Sequence, residues 1–203
     1  MGEVQAKRKT RTGRISQGDV YRDVECIEYV LEREGVVEVS KIVFLLVVVL
    51  TQDCDLQRNA AYKPGAGKPK TDDKRLFSVL VAPLYNAEHV FQGTHLEDLG
   101  LTMAEINRGR SPGQTLMKNE TPRYHHLDFP PDVQIVAQIA DFKHYFSVNA
   151  LYLEKIRTKN LVCQISPLYR EDLSQRFAAF LARIALPNPA SQTAQKVIAT
   201  AQP

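Results

Sequence analysis

The stretch IVFLLVVVL, at residues 42–50, is the most apolar run in this chain of 203 residues. Nine residues are too few for a helix that crosses a bilayer, which needs about 20. A short run rich in β-branched side chains is typical of a strand buried on both faces of a sheet. The run therefore predicts a protein built around a β-sheet, without a membrane association.

Further strands are predicted on both sides of this run. Upstream, the segments that open at GDVY (18–21) and cover 25–31 and 36–39 have strand-like patterns, with Glu34 and Gly35 as a turn. A short helix over 24–33 is the alternative, because Ile27 and Leu31 also fit helical spacing. Downstream, FSVLVA is predicted to pair with the apolar run. The strand candidates on that side are 77–82, 133–140, 146–148, 151–153 and 161–165.

Helices are predicted at three places. The motifs THLE (94–97) and TMAE (102–105) fit the capping box that starts a helix. Ser166 and Pro167 favour a helix start, and an apolar stripe follows before Pro187. That stripe consists of Leu173, Phe177, Phe180, Leu181 and Ile184.

The elements together predict a mainly β fold with α-helices: a small SH3-like β-barrel with inserted short helices and a C-terminal helix. Residues 15–187 are expected to form a single domain with a basic loop at 58–75. Residues 1–14 are expected to be a flexible basic arm and residues 188–203 a flexible tail.

The charge is distributed unevenly along the chain. Apolar residues make up 44% and charged residues 24%, which excludes a mainly disordered chain, and the net charge is only +3. Residues 1–14 and 58–75 nevertheless carry +4 each, so the remainder carries −5. Such segments suit contacts with the phosphates of RNA or DNA, and Tyr62 is placed to stack on a base. The alternative is a pair of solvated segments. The predicted nucleic-acid contacts are Lys7, Arg8, Lys9, Arg11, Arg14, Arg58, Lys63, Lys68, Lys70, Lys74 and Arg75.

An acidic run lies on the first predicted hairpin. It consists of Asp23, Glu25, Glu28, Glu32, Glu34 and Glu38. On strands, such a run is typical of a solvated face. The alternative is a docking surface for a basic partner protein, or for the basic arm of the same chain.

Cysteine usage predicts a reducing, cytoplasmic setting, because Cys26, Cys54 and Cys163 are too few and too widely spaced for a disulfide framework. Cys54 is a candidate nucleophile. A histidine can activate its thiol, and a neighbouring carboxylate can orient that histidine. Two flanking carboxylates work against a thiolate, and the alternative is a structural cysteine with the aspartates capping the strand end. The candidate catalytic residues are Cys54, Asp53, Asp55 and His126.

A zinc site is a further hypothesis for a related set of side chains. Cys54 and Asp55 with His125 or His126 offer suitable ligand atoms. No CxxC or HxxxH spacing supports a site, and adjacent histidines on a strand point to opposite faces. No metal site and no cofactor are therefore predicted.

The order of the motifs resembles the PemK/MazF family of bacterial toxins. The motifs are GDVY, an apolar strand ending in a threonine, FSVLVAP, QIADFKHYF and ISPLYREDLSQRFAAFLARI, over roughly residues 17–51 and 76–185. The resemblance implies an SH3-like barrel, dimerisation, cleavage of single-stranded RNA and neutralisation by an antitoxin. Segments LTQDCDL, RYHHL and RFAAFLARIALP also resemble those of uncharacterised bacterial proteins.

The chain departs from that family where its catalytic residues are expected. Ser40-Lys41 stands where the toxins carry Arg-Pro, and Pro83-Leu84-Tyr85 follows where they carry Ser or Thr. We therefore expect a bacterial, cytoplasmic protein that contacts nucleic acid in a toxin–antitoxin or phage-defence system, related to endoribonucleases without the usual catalytic residues. The alternatives are a Cys/His-dependent enzyme or metal-binding protein centred on Cys54, and a non-catalytic protein-binding subunit. RNA or DNA, an antitoxin or other protein, and a second copy are the expected partners.

Overall fold

An antiparallel sheet dominates the computed structural model, which describes residues 6–7, 13–62 and 71–183. The strand order is β1-β8-β2-β3-β4-β6-β5, with β7 paired to β4, and the sheet curls into a half-barrel. The strands are β1 (Ala6–Lys7), β2 (Asp19–Arg33), β3 (Val36–Val49), β4 (Ser78–Asn86), β5 (Tyr124–Leu127), β6 (Gln138–Asp141), β7 (Phe146–Asn149) and β8 (Leu161–Ile165).

Helices connect and cover these strands. They are α1 (Asp53–Ala61), α2 (Ala87–Gln92), α3 (Gly113–Met117), α4 (Ala150–Asn160) and α5 (Pro167–Leu181), with 3₁₀ turns at Glu97–Leu99, Pro131–Val133 and Phe142–His144. The predicted fold class is confirmed: mainly β, with short helices between strands and a helix that follows the last strand. Across the described part of the chain, no helix combines the length and the apolarity needed to cross a membrane.

The β2–β3 hairpin is the longest feature of the sheet. Its turn lies at Glu34 and Gly35, whose φ angles are 52° and 78°. Two consecutive positive φ angles match the twist of a tight hairpin turn. The predicted hairpin is confirmed, and the alternative helix over 24–33 is wrong because every residue of that segment belongs to β2.

The apolar run 42–50 is buried at only one end. Val47, Val48 and Val49 have no exposed surface, as predicted for a strand enclosed on both faces. In contrast, Val43 and Leu45 are 53% and 69% exposed, so the prediction is wrong for residues 42–46. The reason is the extent of pairing: β4 joins β3 only at Val47–Val49, as predicted for these two strands, and leaves the rest of β3 beyond its reach.

Adjacent residues of β3 face two separate cores. Val48 packs with Leu84 and Phe142 under the apolar face of α5. Val47 packs on the opposite side of the sheet with Tyr21, near α1 and α4. The predicted C-terminal helix is confirmed, with Pro167 in its first turn. Of its predicted stripe, Leu173, Phe177 and Phe180 are buried, Leu181 is exposed, and Ile184 lies outside the described residues.

Several predicted boundaries are wrong. Residues 102–105 form no helix, and the motif at 94–97 leads only into the 3₁₀ turn Glu97–Leu99. Residues 151–153 are helical because Asn149, whose side chain accepts hydrogen bonds from two backbone amides, starts α4 there. Only the end of 133–140 joins a strand.

The ends of the chain are described only in part. Within the segment 1–14, expected as a flexible arm, Ala6–Lys7 forms β1 and pairs with β8. These two residues therefore belong to the sheet. Pro187 and the tail at 188–203 lie outside the described residues.

Candidate nucleic-acid interface

Helix α1 follows the buried end of β3 and organises the surface where the basic segments meet. Asp53 and Asp55 lie in its first turn and Arg58 in its last, the arrangement that the helix dipole favours. Leu56 is buried and fixes the helix to the core. The prediction that 53–55 end a strand, and that the loop begins at 58, is therefore wrong, since the loop begins after Ala61.

The N-terminal end of α1 is anchored through Asp53. Its two carboxylate oxygens accept hydrogen bonds from the Arg14 guanidinium at 2.9 and 2.7 Å, and one also accepts from the backbone N–H of Gln17 at 3.2 Å. The Arg14 hydrogen bonds lower the pKa of the Asp53 carboxyl. A carboxylate held in this way is a structural anchor, so Asp53 is not a free base beside Cys54. Arg14, predicted to contact phosphate, is likewise engaged within the fold.

The C-terminal end of α1 holds the two ends of the basic loop together. The side-chain oxygen of Asn59 accepts a hydrogen bond from the backbone N–H of Leu76 at 2.8 Å. The Tyr62 hydroxyl donates to the carboxylate of Asp72. Tyr62, predicted to stack on a base, therefore makes a contact within the loop stem. Lys63, Lys68 and Lys70 lie outside the described residues, between these two contacts.

An exposed aromatic ring stands at the stem of this loop. Phe77 is 78% exposed, the highest value among the large apolar side chains of the described residues. The Arg75 guanidinium lies 5.6 Å from the centre of the Phe77 ring, a cation–π distance, and Lys74 beside it is also exposed. The sequence pattern predicts Phe77 as the first residue of an apolar strand. That strand begins one residue later, at Ser78.

Helix α1 thus separates the entry points of the two basic segments. Segment 1–14 contacts the first residue of α1 through Arg14, and the loop begins after the last residue of α1. Nine helical residues span about 14 Å. Arg58 is exposed on the helix between these points, and its guanidinium lies 3.6 Å from a carboxylate oxygen of Asp55. Because this ion pair neutralises it, Arg58 adds only weakly to the positive surface. Arg8, Lys9 and Arg11 lie outside the described residues, and of Lys7 only the backbone position is described.

The predicted cysteine–histidine site is not assembled. Cys54 is exposed, and its sulfur lies 3.7 Å from the side-chain oxygen of Gln52. His126 is buried on β5, where its backbone N–H donates to Asn119 at 2.6 Å, and burial lowers the pKa of its imidazole. Within 13–62 and 71–183, no hydrogen bond or ion pair joins Cys54 to a histidine.

The geometry does not support the zinc site considered for Cys54, Asp55 and a histidine either. His125, the other histidine considered as a ligand, is buried in β5 with its Nε2 atom 4.0 Å from a carboxylate oxygen of Asp172. In the part of the chain that the structure describes, no three or more His, Cys, Asp or Glu side chains are arranged to hold a metal ion.

Sequence reasoning missed a buried polar cluster at the end of β6. Asp141 is fully buried and accepts hydrogen bonds from Arg123 at 2.9 and 2.6 Å and from the backbone of Lys143 at 3.0 Å. The Nδ1 atom of His144 lies 3.4 Å from Asp141 and 3.2 Å from the Tyr85 hydroxyl. The sequence did contain a signal for this cluster. In the motif QIADFKHYF, Asp141 is followed three residues later by His144.

This cluster is unsuited to binding phosphate. Burial lowers the pKa of His144 and raises that of Tyr85, so both are neutral at pH 7. The guanidinium of Arg123 is already neutralised by Asp141. Tyr85 and His95 line a cleft of ≈ 370 Å³ whose walls are largely apolar. The cluster is therefore best explained as part of the core beside that cleft.

At the loop stem, exposed cations lie beside an exposed aromatic ring. The residues that form this surface in the structure are Lys74, Arg75 and Phe77. Comparisons with protein-family models, with curated proteins and with solved structures find no match to this chain.

Proposed function

We propose that this protein binds single-stranded nucleic acid through the basic loop at 58–75 and its stem. The observation that carries the proposal is the exposed Phe77 ring with the Arg75 guanidinium beside it. Single strands are typically bound by cationic side chains that contact phosphates and by aromatic rings on which bases stack. The loop stem combines both groups at one place.

The charge of the loop supplies the phosphate contacts of this proposal. Residues 58–75 carry +4, and the contact between Asn59 and Leu76 joins the two ends of this segment beside Phe77. Contacts of this kind position a protein on a nucleic acid without reading its sequence. We therefore expect little sequence preference and a strong dependence on salt.

The resemblance to the PemK/MazF family supports RNA as the ligand, in a toxin–antitoxin or phage-defence system. The proposal is one of binding and does not include strand cleavage. The described residues offer no assembled cysteine–histidine site, and the neutral His144 cluster has its arginine tied to a carboxylate.

Fluorescence anisotropy with a labelled 12-nucleotide RNA and the matching single-stranded DNA tests this function. Phe77→Ala should weaken binding about 5- to 100-fold, because stacking on one aromatic ring contributes about 1–3 kcal/mol. Leu168→Ala is the matched control, since Leu168 is 76% exposed on α5 and lies outside the loop stem. Equal affinities for the two variants would contradict the stacking role of Phe77.

The salt dependence tests the electrostatic part separately. Replacing Lys63, Lys68 and Lys70 together with alanine should lower the slope of log K against log salt by about 2, at roughly 0.7 per phosphate contact. Replacing the exposed Lys118 with alanine is the control and should leave the slope unchanged. Absence of binding of either strand at 50 mM salt would overturn the proposed function.

A further inference from the structure

The apolar cleft of ≈ 370 Å³ lies where two neighbouring strands of the sheet diverge. Strand β4 pairs with β3 only as far as Pro83, which lies opposite Val47. Its next residues, Leu84–Asn86, pair with β6 on the other side of β4. Residues of both strands and of the segment that follows α2 line the cleft. The cleft therefore separates two strands that are paired in the core of the sheet.

One wall of the cleft is an unpaired edge of β3. Residues 42–46 line the cleft and, among the described strands, pair only with β2. The backbone N–H of Leu50 donates to Leu80 of β4 at 2.8 Å, and every second residue before Leu50 has its backbone groups on the same side of β3. The N–H and C=O groups of Ile42 and Phe44 therefore face the cleft. An edge of this kind is a template for an added strand.

The side chains that line the cleft favour a segment without negative charge. The walls are largely apolar and include Leu84, Leu96 and Val136. Asp98 is a carboxylate at the cleft, and neither a lysine nor an arginine is among its lining residues in the described part of the chain. The phosphates of a nucleic acid therefore have no cation to bind there, whereas an apolar strand with a basic residue suits these walls.

The C-terminal segment of the same chain has this chemistry. Residues 184–203 lie outside the described part of the chain and contain the sequence KVIAT at 196–200. Val197, Ile198 and Thr200 are β-branched and favour a strand. Lys196 is the one charged residue in 184–203, and its sign is opposite to that of Asp98.

Helix α5 ends close enough for this segment to reach the cleft. The ring centre of Phe180, near the end of α5, lies 5.9 Å from that of Phe142. Phe142 directly follows the four residues of β6, a span of about 13 Å, and Gln138 at the start of β6 lines the cleft. The residues 184–195 can extend over about 40 Å, which exceeds this distance.

We infer that residues 196–200 of this chain bind in the cleft as an added strand along residues 42–46 of β3. Main-chain hydrogen bonds to Ile42 and Phe44 hold the segment, and alternate side chains of it enter the apolar cleft. Lys196 lies at the end of the cleft where Asp98 is exposed. The bound segment extends the sheet from β3 into the space that β4 leaves.

Amide hydrogen exchange measured by NMR tests this contact in the full chain and in a chain truncated after Pro187. The amide of Phe44 should exchange at least about 10-fold faster in the truncated chain, because its hydrogen-bond partner is lost. The amide of Val43 is the internal control, since Val43 pairs with Glu25 on β2 in both chains. Equal exchange at Phe44 would overturn the inference and leave 188–203 as a flexible tail. Rates in the full chain that depend on protein concentration would contradict docking within one chain.

A single substitution in the segment tests the same contact without truncation. Ile198→Asp in the full chain should raise the exchange rate at Phe44 as truncation does, because a carboxylate is costly in an apolar cleft. Thr193→Asp is the matched control, since it adds the same charge outside residues 196–200. Equal effects of the two variants would contradict the assignment of 196–200 as the bound strand.

The position of Lys196 has its own test by charge exchange. Lys196→Asp and Asp98→Lys should each raise the exchange rate at Phe44 about 2- to 5-fold, the effect of an exposed ion pair, and the double variant should recover most of it. Glu105→Lys is the control for net charge, because Glu105 is exposed and does not line the cleft. A double variant that exchanges faster than both single variants would contradict this pair.

The RNA measurements separate this inference from the proposed function. The chain truncated after Pro187 should keep its affinity for RNA, because Phe77 precedes β4 and the cleft lies at the other end of that strand. Faster exchange at Phe44 with unchanged RNA binding is therefore the result expected for a segment that binds the cleft alone.

Discussion

The inner and outer halves of the β2–β3 hairpin contain the same kinds of residue in opposite surroundings. At the inner end, Val20, Val47 and Val48 are completely buried, because β8 and β4 flank the ribbon and helices cover both faces. At the outer end, Val37 and Val39 are at least half exposed. A strand of valines is therefore not by itself a core strand, and burial depends on how far the neighbouring strands extend.

The largest expected effect comes from placing the same charge in both halves. Val48→Asp should cost about 4 kcal/mol or more of unfolding free energy, because a carboxylate cannot be solvated or paired at that position. Val36→Asp, on the exposed outer half, should cost less than about 1 kcal/mol. Urea denaturation followed by circular dichroism measures both, and similar losses would show that the outer half is part of the core.

Acid should destabilise the folded body through a buried histidine. Burial, followed by the charge of Arg176, lowers the pKa of His125 to about 3. Below the unfolded pKa of about 6.5, the unfolded chain takes up a proton that the folded chain does not, so stability falls as the pH falls. His125 alone should remove up to about 1.4 kcal/mol per pH unit, or about 2 kcal/mol between pH 6.5 and 4.5.

Urea denaturation at several pH values checks this effect. His125→Gln should give a shallower dependence of stability on pH, by about one proton, over the range 6.5 to 4.5. His89→Gln is the matched control, because His89 is exposed on α2. Identical slopes in all three proteins would show that His125 does not titrate on unfolding.

The smallest expected effect lies at the tip of the hairpin. Gly35 has a φ of 78°, and an added Cβ would meet no atom within 4 Å, so Gly35→Ala should cost only the roughly 1 kcal/mol of a left-handed alanine. Gly93 has a similar φ of 73°, but its added Cβ would lie 2.4 Å from the backbone oxygen of Met103. Gly93→Ala should therefore cost clearly more, as measured by thermal unfolding, and a greater loss at Gly35 would contradict the comparison.

The sequence predicted elements whose signals are local and missed those that depend on distant residues. The hairpin turn at Glu34 and Gly35 and the start of α5 at Pro167 were found because a few neighbouring residues specify them. Helix α1 was missed because its anchor, the contact between Asp53 and Arg14, joins residues 39 positions apart. Residues 151–153 form a short apolar run that suits either a strand or a helix.

The positive charge of the candidate site could be predicted from the sequence, but the arrangement of its residues could not. Composition along the chain identified the basic loop, and Lys74 and Arg75 are indeed exposed. The exposure of Phe77 depends on where β4 begins, and the loss of Arg14 to Asp53 depends on packing across the chain. The predicted group around Cys54 has the right residue types, but α1 and β5 hold them without a mutual contact.

The hydrogen bond between Asn59 and Leu76 makes the loop modular. Because the two ends of the segment 63–75 are held together by the folded body, its length can change with little effect on the sheet. Doubling a loop costs only about 0.6 kcal/mol in closure entropy. The number and spacing of its basic residues can therefore change during evolution almost independently of the stability of the half-barrel, while Phe77 stays fixed at the base.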